Sequence, residues 1–153
     1  MSVAFRREQD DEHLEPKFEL PIPAGPNLVT EAGAKLIESK IAEISAAIDR
    51  GGSEDEIRSL KRDLRYWSTR HATMEIQPAA CGDEAAFGTR VRFILGGAEK
   101  EVSIVGDDEA DPPVGLISFS SPLARALIGT AEGEFADFGG RADAIQVLRV
   151  VPL

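Results

Sequence analysis

The chain has 153 residues, 42% of them hydrophobic, and a formal net charge of −10. This length holds one ordinary domain or two small ones, and the apolar fraction is sufficient for a packed core. Tight autonomous binding to a nucleic-acid backbone depends on Lys and Arg neutralising phosphates, so the acidic excess argues against it. We expect any contact with nucleic acid to be indirect, within a larger complex.

Three further features limit the class of protein. No stretch approaches the ~18 apolar residues that a membrane span needs. Residues 1–7 are followed by acidic side chains and not by an apolar run, so no signal peptide is predicted. The single cysteine, Cys81, excludes an internal disulfide and fits a reducing compartment. These features predict a cytoplasmic protein without membrane contact.

Residues 1–27 are predicted to be a disordered or extended tail, because they are charged and contain four prolines. Phe18, Leu20 and Ile22 alternate with other residues. A short extended segment that docks on the body of the protein is therefore an open alternative.

Residues 28–77 are predicted to form a helical hairpin. Thr30 can cap the first helix, and Gly51-Gly52 ends it where left-handed backbone geometry is needed. Its apolar residues follow 4-3-4 spacing and share one stripe; they are Ile37, Ile41, Ile44 and Ile48.

The second helix is expected to start at Ser53. Its apolar seam has 3-4 spacing and consists of Ile57, Leu60, Leu64, Trp67, His71 and Met74. Two such stripes joined by two glycines predict an antiparallel αα-hairpin, with Trp67 and His71 packed between the helices. Each arm of ~20 residues would be about 30 Å long.

Residues 78–86 are predicted to be a linker, and residues 87–153 a compact α+β body. Alternation over residues 87–95 predicts a half-buried strand, which turns at Gly96-Gly97 into a return strand. A short strand is expected at 115–119, and a final strand at 145–151. Between them, Ser121-Pro122 begins a short helix that Gly129 ends.

Two runs within this body are IVGDDEADPPVGLIS (104–118) and SSPLARALIG (120–129), and Phe87-Gly88 precedes both. In this order and spacing they resemble the C-terminal domain of the GreA/GreB transcript-cleavage factors, and the match extends over residues 87–153. Gly133-Glu134 stands where the family usually has Gly-Asp. The resemblance implies an α+β fold: an N-terminal antiparallel αα-hairpin (coiled coil) and a C-terminal FKBP-like antiparallel sheet with one short helix.

The resemblance also implies a partner. The family docks on RNA polymerase at the rim of the secondary channel, against a coiled coil of the β′ subunit. The corresponding contacts in this chain would be Asp107, Asp108, Glu109, Asp111, Ser120, Ser121, Pro122 and Arg125. Leu123, Ala126 and Leu127 of the same short helix are instead expected to be core residues.

Three other interpretations of the body are set aside. Residues 108–111 spell the helicase string Asp-Glu-Ala-Asp, but the chain has no phosphate-binding loop of the G-x-x-x-x-G-K-[ST] type. A metal site in this acidic run is a weaker expectation than a solvated loop. A prolyl isomerase is unattractive because the few aromatic residues must fill the core.

The hairpin tip departs from the family pattern. In the cleavage factors, an Asp and a Glu of a GDLxEN motif help to hold the second catalytic Mg²⁺ in the polymerase active site. The tip of this chain carries Glu54, Asp55 and Glu56, while the motif's Asp falls on Gly52 and its Asn is absent. The arms also look shorter than in the family. Residues 53–56 fit an S-x-x-E capping box, which explains the acidic tip without metal binding.

A basic face is predicted on the second helix, where Arg58, Arg62 and Arg65 share its outer side. An exposed face neutralised by acids of the first helix is the simpler interpretation. Contact with polymerase or with nucleic-acid phosphates in the channel is the alternative.

The sequence therefore predicts a transcription elongation regulator, not an enzyme, that binds RNA polymerase at the secondary channel with weak or no stimulation of transcript cleavage. No catalytic residue, metal site or cofactor is expected, apart from a Mg²⁺ shared transiently with the polymerase if the tip reaches it. Two alternatives stay open. One is an active cleavage cofactor with a Mg-binding tip. The other is a regulator of nucleoside diphosphate kinase, because the short hairpin is similar to that branch of the family's relatives.

Overall fold

The computed structural model describes residues 19–153. The predicted tail up to Phe18 lies outside the described residues. The helices and strands, in chain order, are β1 (Leu28–Val29), α1 (Glu31–Arg50), α2 (Glu54–Thr73), β2 (Glu75–Ile76), β3 (Thr89–Leu95), β4 (Ala98–Val105), β5 (Leu116–Ser118), α3 (Pro122–Leu127), β6 (Phe135–Phe138) and β7 (Arg141–Pro152). The expected α+β class, with a helical hairpin and a sheet that carries one short helix, is confirmed.

The described chain divides into two compact units. The helical unit contains residues 19–25 and 37–73, and the sheet unit contains residues 26–36 and 74–153. No helix in residues 19–153 is both long and apolar enough to cross a membrane.

The turn of the hairpin is built by the residues that the sequence singles out for it. Gly51 adopts a φ of 80°, and its N–H donates to the carbonyl of Ile48 at 3.0 Å, which closes α1. Ser53 and Glu56 then form the predicted capping box. The Ser53 hydroxyl accepts from the Glu56 N–H at 3.2 Å, and the Glu56 carboxylate accepts from the Ser53 N–H at 3.1 Å.

The predicted seam of α2 is wrong in its last turn. His71 is exposed, with Nε2 3.8 Å from Glu38 Oε1, whereas Arg70 is only 2% exposed. At about 100° per residue, His71 falls within the stripe of Ile57, Leu60, Leu64 and Trp67, whereas Arg70 lies about 100° to one side of it. The burial of Arg70 therefore depends on contacts outside the stripe, which the heptad spacing of α2 does not report.

The sheet unit is organised around a five-stranded sheet of order β5-β4-β3-β7-β6. Its strands pair antiparallel except for β5, which runs parallel to β4. The expectation of a wholly antiparallel sheet is therefore corrected at this edge. Residues 106–115 cross back between the two strands, and they include a 3₁₀ turn at Pro112–Val114 that ends at Gly115 with a φ of 85°. Such a crossover makes the parallel pairing of β4 and β5 possible.

The core of this unit lies between one face of the sheet and α3. Alternate residues of β3 point into it, which gives Val91 and Phe93 no exposed surface, while Arg90 and Arg92 are exposed on the opposite face. Ala124 and Leu127 of α3 are also fully buried. The helix residues Leu123, Ala126 and Leu127 all pack in this cluster, as expected.

Part of the predicted linker belongs to the body. Ala85 is 1% exposed within the core cluster, its N–H donates to Thr130 at 2.9 Å, and its carbonyl accepts from Gly129 at 2.8 Å. Glu84 forms an isolated bridge with Ala131. Small residues indicate a linker in a sequence, but they also fit where two backbone segments approach closely.

Two features of the fold are not predicted by the sequence: the pairing of β1 with β2 and the strand β6. The first pair is parallel, with Leu28 beside Glu75 and Val29 beside Ile76. Gly106 lies against it: a Cβ at this position would clash with the Leu28 carbonyl oxygen. Two-residue strands carry no periodic signal, so only the fold reveals them.

The capping box gives a direct test of the hairpin. We expect Ser53→Ala to lower the free energy of unfolding by about 1 kcal/mol, because the Glu56 N–H in the first turn of α2 loses its acceptor. Urea unfolding of the full chain, followed by far-ultraviolet circular dichroism, measures the change. Ser59→Ala is the matched control on the same helix, and it should be neutral or slightly stabilising because alanine is the better helix former. Equal effects of the two substitutions would contradict the assigned cap.

Candidate functional site

The acidic loop after β4 is tied to the start of α1. The Thr30 hydroxyl accepts from the Gly33 N–H at 2.9 Å, so Thr30 is the N-cap that its position predicts. The same hydroxyl donates to the carboxylate of Glu109, 79 residues away in the sequence. Glu109 therefore holds the first turn of α1 beside the acidic loop, in addition to the surface role predicted for it.

A second carboxylate of this loop organises a cluster of hydroxyl groups. Asp107 Oδ1 accepts from the Ser118 hydroxyl at 2.5 Å and from the Ser120 hydroxyl at 3.0 Å. The two serine oxygens are 2.8 Å apart, and the Ser120 N–H donates to Ser118 Oγ at 3.1 Å. These contacts join the acidic loop to the segment that leads from β5 into α3. Ser118 was not among the predicted site residues, although it lies in the quoted motif.

The N-terminus of α3 completes this surface. Ser121 caps the helix, since its side chain accepts from the Ala124 N–H at 3.3 Å, and Pro122 occupies the first turn. Arg125 is exposed, as expected for a contact residue. Ser120 is therefore hydrogen-bonded to Asp107, and Ser121 and Pro122 follow it directly in the chain.

The other two predicted contact residues differ in environment. Asp108 is partly buried. Asp111 is exposed, and its backbone forms a bridge with Leu116, in which its N–H donates to the Leu116 carbonyl at 2.8 Å. Asp111 thus has a structural role in the crossover through its backbone, while its side chain faces solvent.

One of the three carboxylates of the predicted hairpin tip takes part in local hydrogen bonds. Glu56 belongs to the capping box, and a Cβ on Gly52 would clash with its carboxylate. Asp55 lies 3.7 Å from Arg58, with 94% of its side chain exposed, and Glu54 is also exposed. Within residues 19–153, no three His, Cys, Asp or Glu side chains are grouped closely enough to hold a metal ion. The tip thus has two exposed carboxylates, of which Asp55 is paired with Arg58, and a metal there would need further ligands from elsewhere.

The basic face of α2 is largely neutralised, but not by the first helix as predicted. Arg58 pairs with Asp55, Arg62 pairs with Asp63 at 3.0 Å, and Arg65 pairs with Glu19 at 2.5 Å. The partners of this face therefore lie in α2 itself and in the segment just before the hairpin.

The Arg65–Glu19 pair is bidentate, with a second hydrogen bond at 3.1 Å. The hydrogen bond from Arg65 lowers the pKa of Glu19 and raises that of Arg65. Leu20 beside it is half-buried. Residues 19–25 thus belong to the helical unit, which favours the docking alternative for this end of the predicted tail.

The chain combines a helical hairpin with a small mixed-sheet domain, in which an acidic loop and the N-terminus of a short helix form one surface. Residues 79–151 match the family model for the C-terminal domain of the GreA/GreB transcription elongation factors. The chain belongs to the GreA/GreB family.

Relatives extend the similarity beyond the matched domain. Transcription elongation factor GreA of Xanthomonas axonopodis pv. citri is 36% identical over 134 residues, which cover 86% of this chain and 80% of that protein. GreA of Bartonella tribocorum is 41% identical over 126 residues, which cover 80% of this chain and 78% of that protein. A solved GreA/GreB structure from Nitrosomonas europaea is 18% identical, with a TM-score of 0.40, and the match covers 84% of this chain and 99% of that one.

The hydrogen bond between Thr30 and Glu109 can be tested by a double-mutant cycle. We expect Thr30→Val to destabilise the chain by about 1–2 kcal/mol, because it removes both the cap and the partner of Glu109. Glu109→Gln should cost less, and the two changes should couple by about 0.5–1 kcal/mol. Urea unfolding gives each free energy.

Thr69→Val is the control, since the Thr69 hydroxyl donates only to the Arg65 carbonyl of its own helix, at 2.9 Å. Its effect should stay within about 0.5 kcal/mol. Strict additivity of the Thr30 and Glu109 substitutions would show that their contact contributes nothing to stability.

Proposed function

We propose that this chain is a cytoplasmic transcription elongation regulator that binds RNA polymerase at the secondary channel, against the β′ subunit. Its docking surface is the sheet unit, and its hairpin is the part that acts in the channel. Membership of the GreA/GreB family supports the partner, because the two relatives compared above are elongation factors by name.

The observation that carries the docking site is the hydroxyl cluster at Asp107. The Ser120 hydroxyl on Asp107 Oδ1 brings the acidic loop against the start of α3, and these are the two segments that the family resemblance assigns to polymerase. The surface contains a carboxylate that two hydroxyl groups hold in place, and the helix that begins there carries the exposed Arg125. Charges of both signs on these two segments favour a partner with a complementary arrangement.

The hairpin tip supports weak or no stimulation of transcript cleavage. A cleavage cofactor must deliver carboxylates to a metal that the polymerase holds. Here Glu56 is engaged by the capping box, and Gly52 occupies the position where the family motif has its Asp. Only Glu54 and Asp55 stay available, on a hairpin whose arms have 20 residues each.

The exposure of Glu54 and Asp55 also favours one alternative, an active cleavage cofactor. If the tip reaches the polymerase metal, these two carboxylates could share its coordination. No observation on the described residues favours the other alternative, regulation of nucleoside diphosphate kinase. Recovery of the kinase without β′ in a pull-down with the purified chain would support that alternative and oppose polymerase docking.

Docking is tested by equilibrium binding to bacterial core RNA polymerase in biolayer interferometry. We expect Asp107→Asn to weaken binding at least tenfold, about 1.4 kcal/mol, because it removes the charge while keeping the shape of the side chain. Arg125→Ala should weaken binding as well. The matched control is Glu84→Gln, an exposed carboxylate outside the proposed surface, which should change affinity by less than about twofold.

Thermal unfolding of each variant separates loss of the contact from loss of the fold. Wild-type chain that fails to bind polymerase at low salt, or Asp107→Asn and Arg125→Ala variants that bind like wild type, would refute the proposed docking surface.

The role of the tip is tested by release of short RNA from backtracked transcription complexes. We expect little release above that of polymerase alone, and no further loss with the paired change Glu54→Gln and Asp55→Asn. These isosteric changes leave the Ser53–Glu56 capping box intact, whereas Glu56→Ala removes it. Strong release that the paired change abolishes would establish the cleavage cofactor instead.

A further inference from the structure

The face of the sheet opposite α3 carries a concentration of positive charge. Residues 79–153 contain only six basic side chains against twelve acidic ones. Three of the six, Arg90, Arg92 and Arg149, lie together on the neighbouring strands β3 and β7, and all three are exposed. We call this set the arginine groove. Half of the cations of an acidic domain therefore occupy one small area.

Within residues 19–153, Arg92 is the one member of the arginine groove that forms ion pairs. Arg92 lies 3.5 Å from Glu99 and 3.4 Å from Glu101. Among the described residues, the side chains of Arg90 and Arg149 make no hydrogen bond or ion pair. Arg149 also lies directly opposite Arg92 in the β3–β7 register, and like charges in that position are destabilising. This arrangement costs stability, and within residues 19–153 no ion pair of the Arg149 side chain offsets it.

The surface around these residues is recessed and partly apolar. A groove of about 210 Å³ is lined by the three arginines, Glu101 and Val151. Arg90 also lines a larger pocket of about 650 Å³, which has Phe87, Leu116 and Leu153 on its walls. Arg90 therefore stands where the groove and the pocket meet.

The walls of the pocket contain apolar and acidic side chains. Ile76 and Leu153 on its walls are 53% and 49% exposed, which is high for large apolar side chains. Glu31 and Glu109 also line it and would repel a carboxylate. An anionic group can therefore bind only toward Arg90, while the pocket itself suits an uncharged apolar side chain.

We propose that the arginine groove and the adjoining pocket bind an acidic segment of a partner protein. Its carboxylates bind Arg90 and Arg149, and a large apolar side chain next to them fills the pocket. Guanidinium groups bind carboxylates through two parallel hydrogen bonds, which gives such a site geometric specificity as well as charge.

Charge and shape favour a protein segment over a nucleic acid. The domain has twice as many acidic as basic residues, and Glu99 and Glu101 flank the arginines. A polyanion with regularly spaced phosphates would be repelled by this surrounding field. A phosphate backbone also has no group that would use the apolar pocket. The three arginines lie outside the surface proposed for polymerase, and Glu109 on the pocket wall is the one residue that the two sites share.

The test begins with selection of random twelve-residue peptides, displayed on phage, against the full chain. We expect the enriched peptides to carry at least two acidic residues next to a large apolar one. Fluorescence anisotropy with a labelled enriched peptide then gives its Kd. Arg90→Glu and Arg149→Glu should each weaken binding more than tenfold, and Arg149→Lys should have an intermediate effect because it keeps the charge without the paired donors.

Arg141→Glu is the matched control, because Arg141 is exposed on the same strand β7, eight residues from Arg149. It should change the Kd by less than about twofold, and circular dichroism should show that all variants fold. The proposal is overturned if selection yields no acidic–apolar pattern, or if the Arg90 and Arg149 reversals leave peptide binding unchanged. It is equally overturned if a single-stranded RNA of twelve nucleotides binds the arginines as tightly as the peptide does.

Discussion

The sheet unit depends on the close approach of two backbone segments, the strand pair β1–β2 and the loop after β4. Gly106 permits this approach, because any side chain there would overlap the Leu28 carbonyl oxygen. Overlap with a carbonyl group of the main chain cannot be relieved by rotating a side chain, so the loop itself would have to move. Once the loop is in place, Glu109 meets the N-cap of α1, and Asp107 meets the two serines. One glycine thus determines where two acidic groups of the candidate site, Glu109 and Asp107, can lie.

The acidic residues of this chain have unequal roles, although a sequence motif presents them alike. Glu109 and Glu56 each complete a helix N-terminus, and Asp107 orders a loop through hydroxyl groups. Asp55 and Glu54 stay exposed at the hairpin turn. A carboxylate engaged in a cap is less available to a partner, since the contact would have to be broken first. A sequence motif therefore groups carboxylates that the fold holds in place with carboxylates that it leaves exposed.

The arginines of the chain differ in whether acidic side chains neutralise them. The arginines of α2 are paired with acids close to them in the fold, whereas two arginines on the sheet lack such partners among the residues that the structure describes. Exposed ion pairs contribute little stability, but they remove a cation from competition for external anions. The paired face of the hairpin is therefore a weaker candidate for anion binding than its composition suggests, and the sheet face is a stronger one.

Features that depend on residues close together in the chain can be predicted from the sequence alone. Gly51, Ser53 and Glu56 specify the hairpin turn, and Ser121-Pro122 specifies the start of α3, because caps and turns form within a few residues. Tertiary structure decided what depends on contacts between distant segments. These include the β1–β2 pair, the hydrogen bond from Thr30 to Glu109, the burial of Arg70 in place of His71, and the arginine groove. Each depends on where another segment of the chain lies, and periodicity along one segment contains no information about that position.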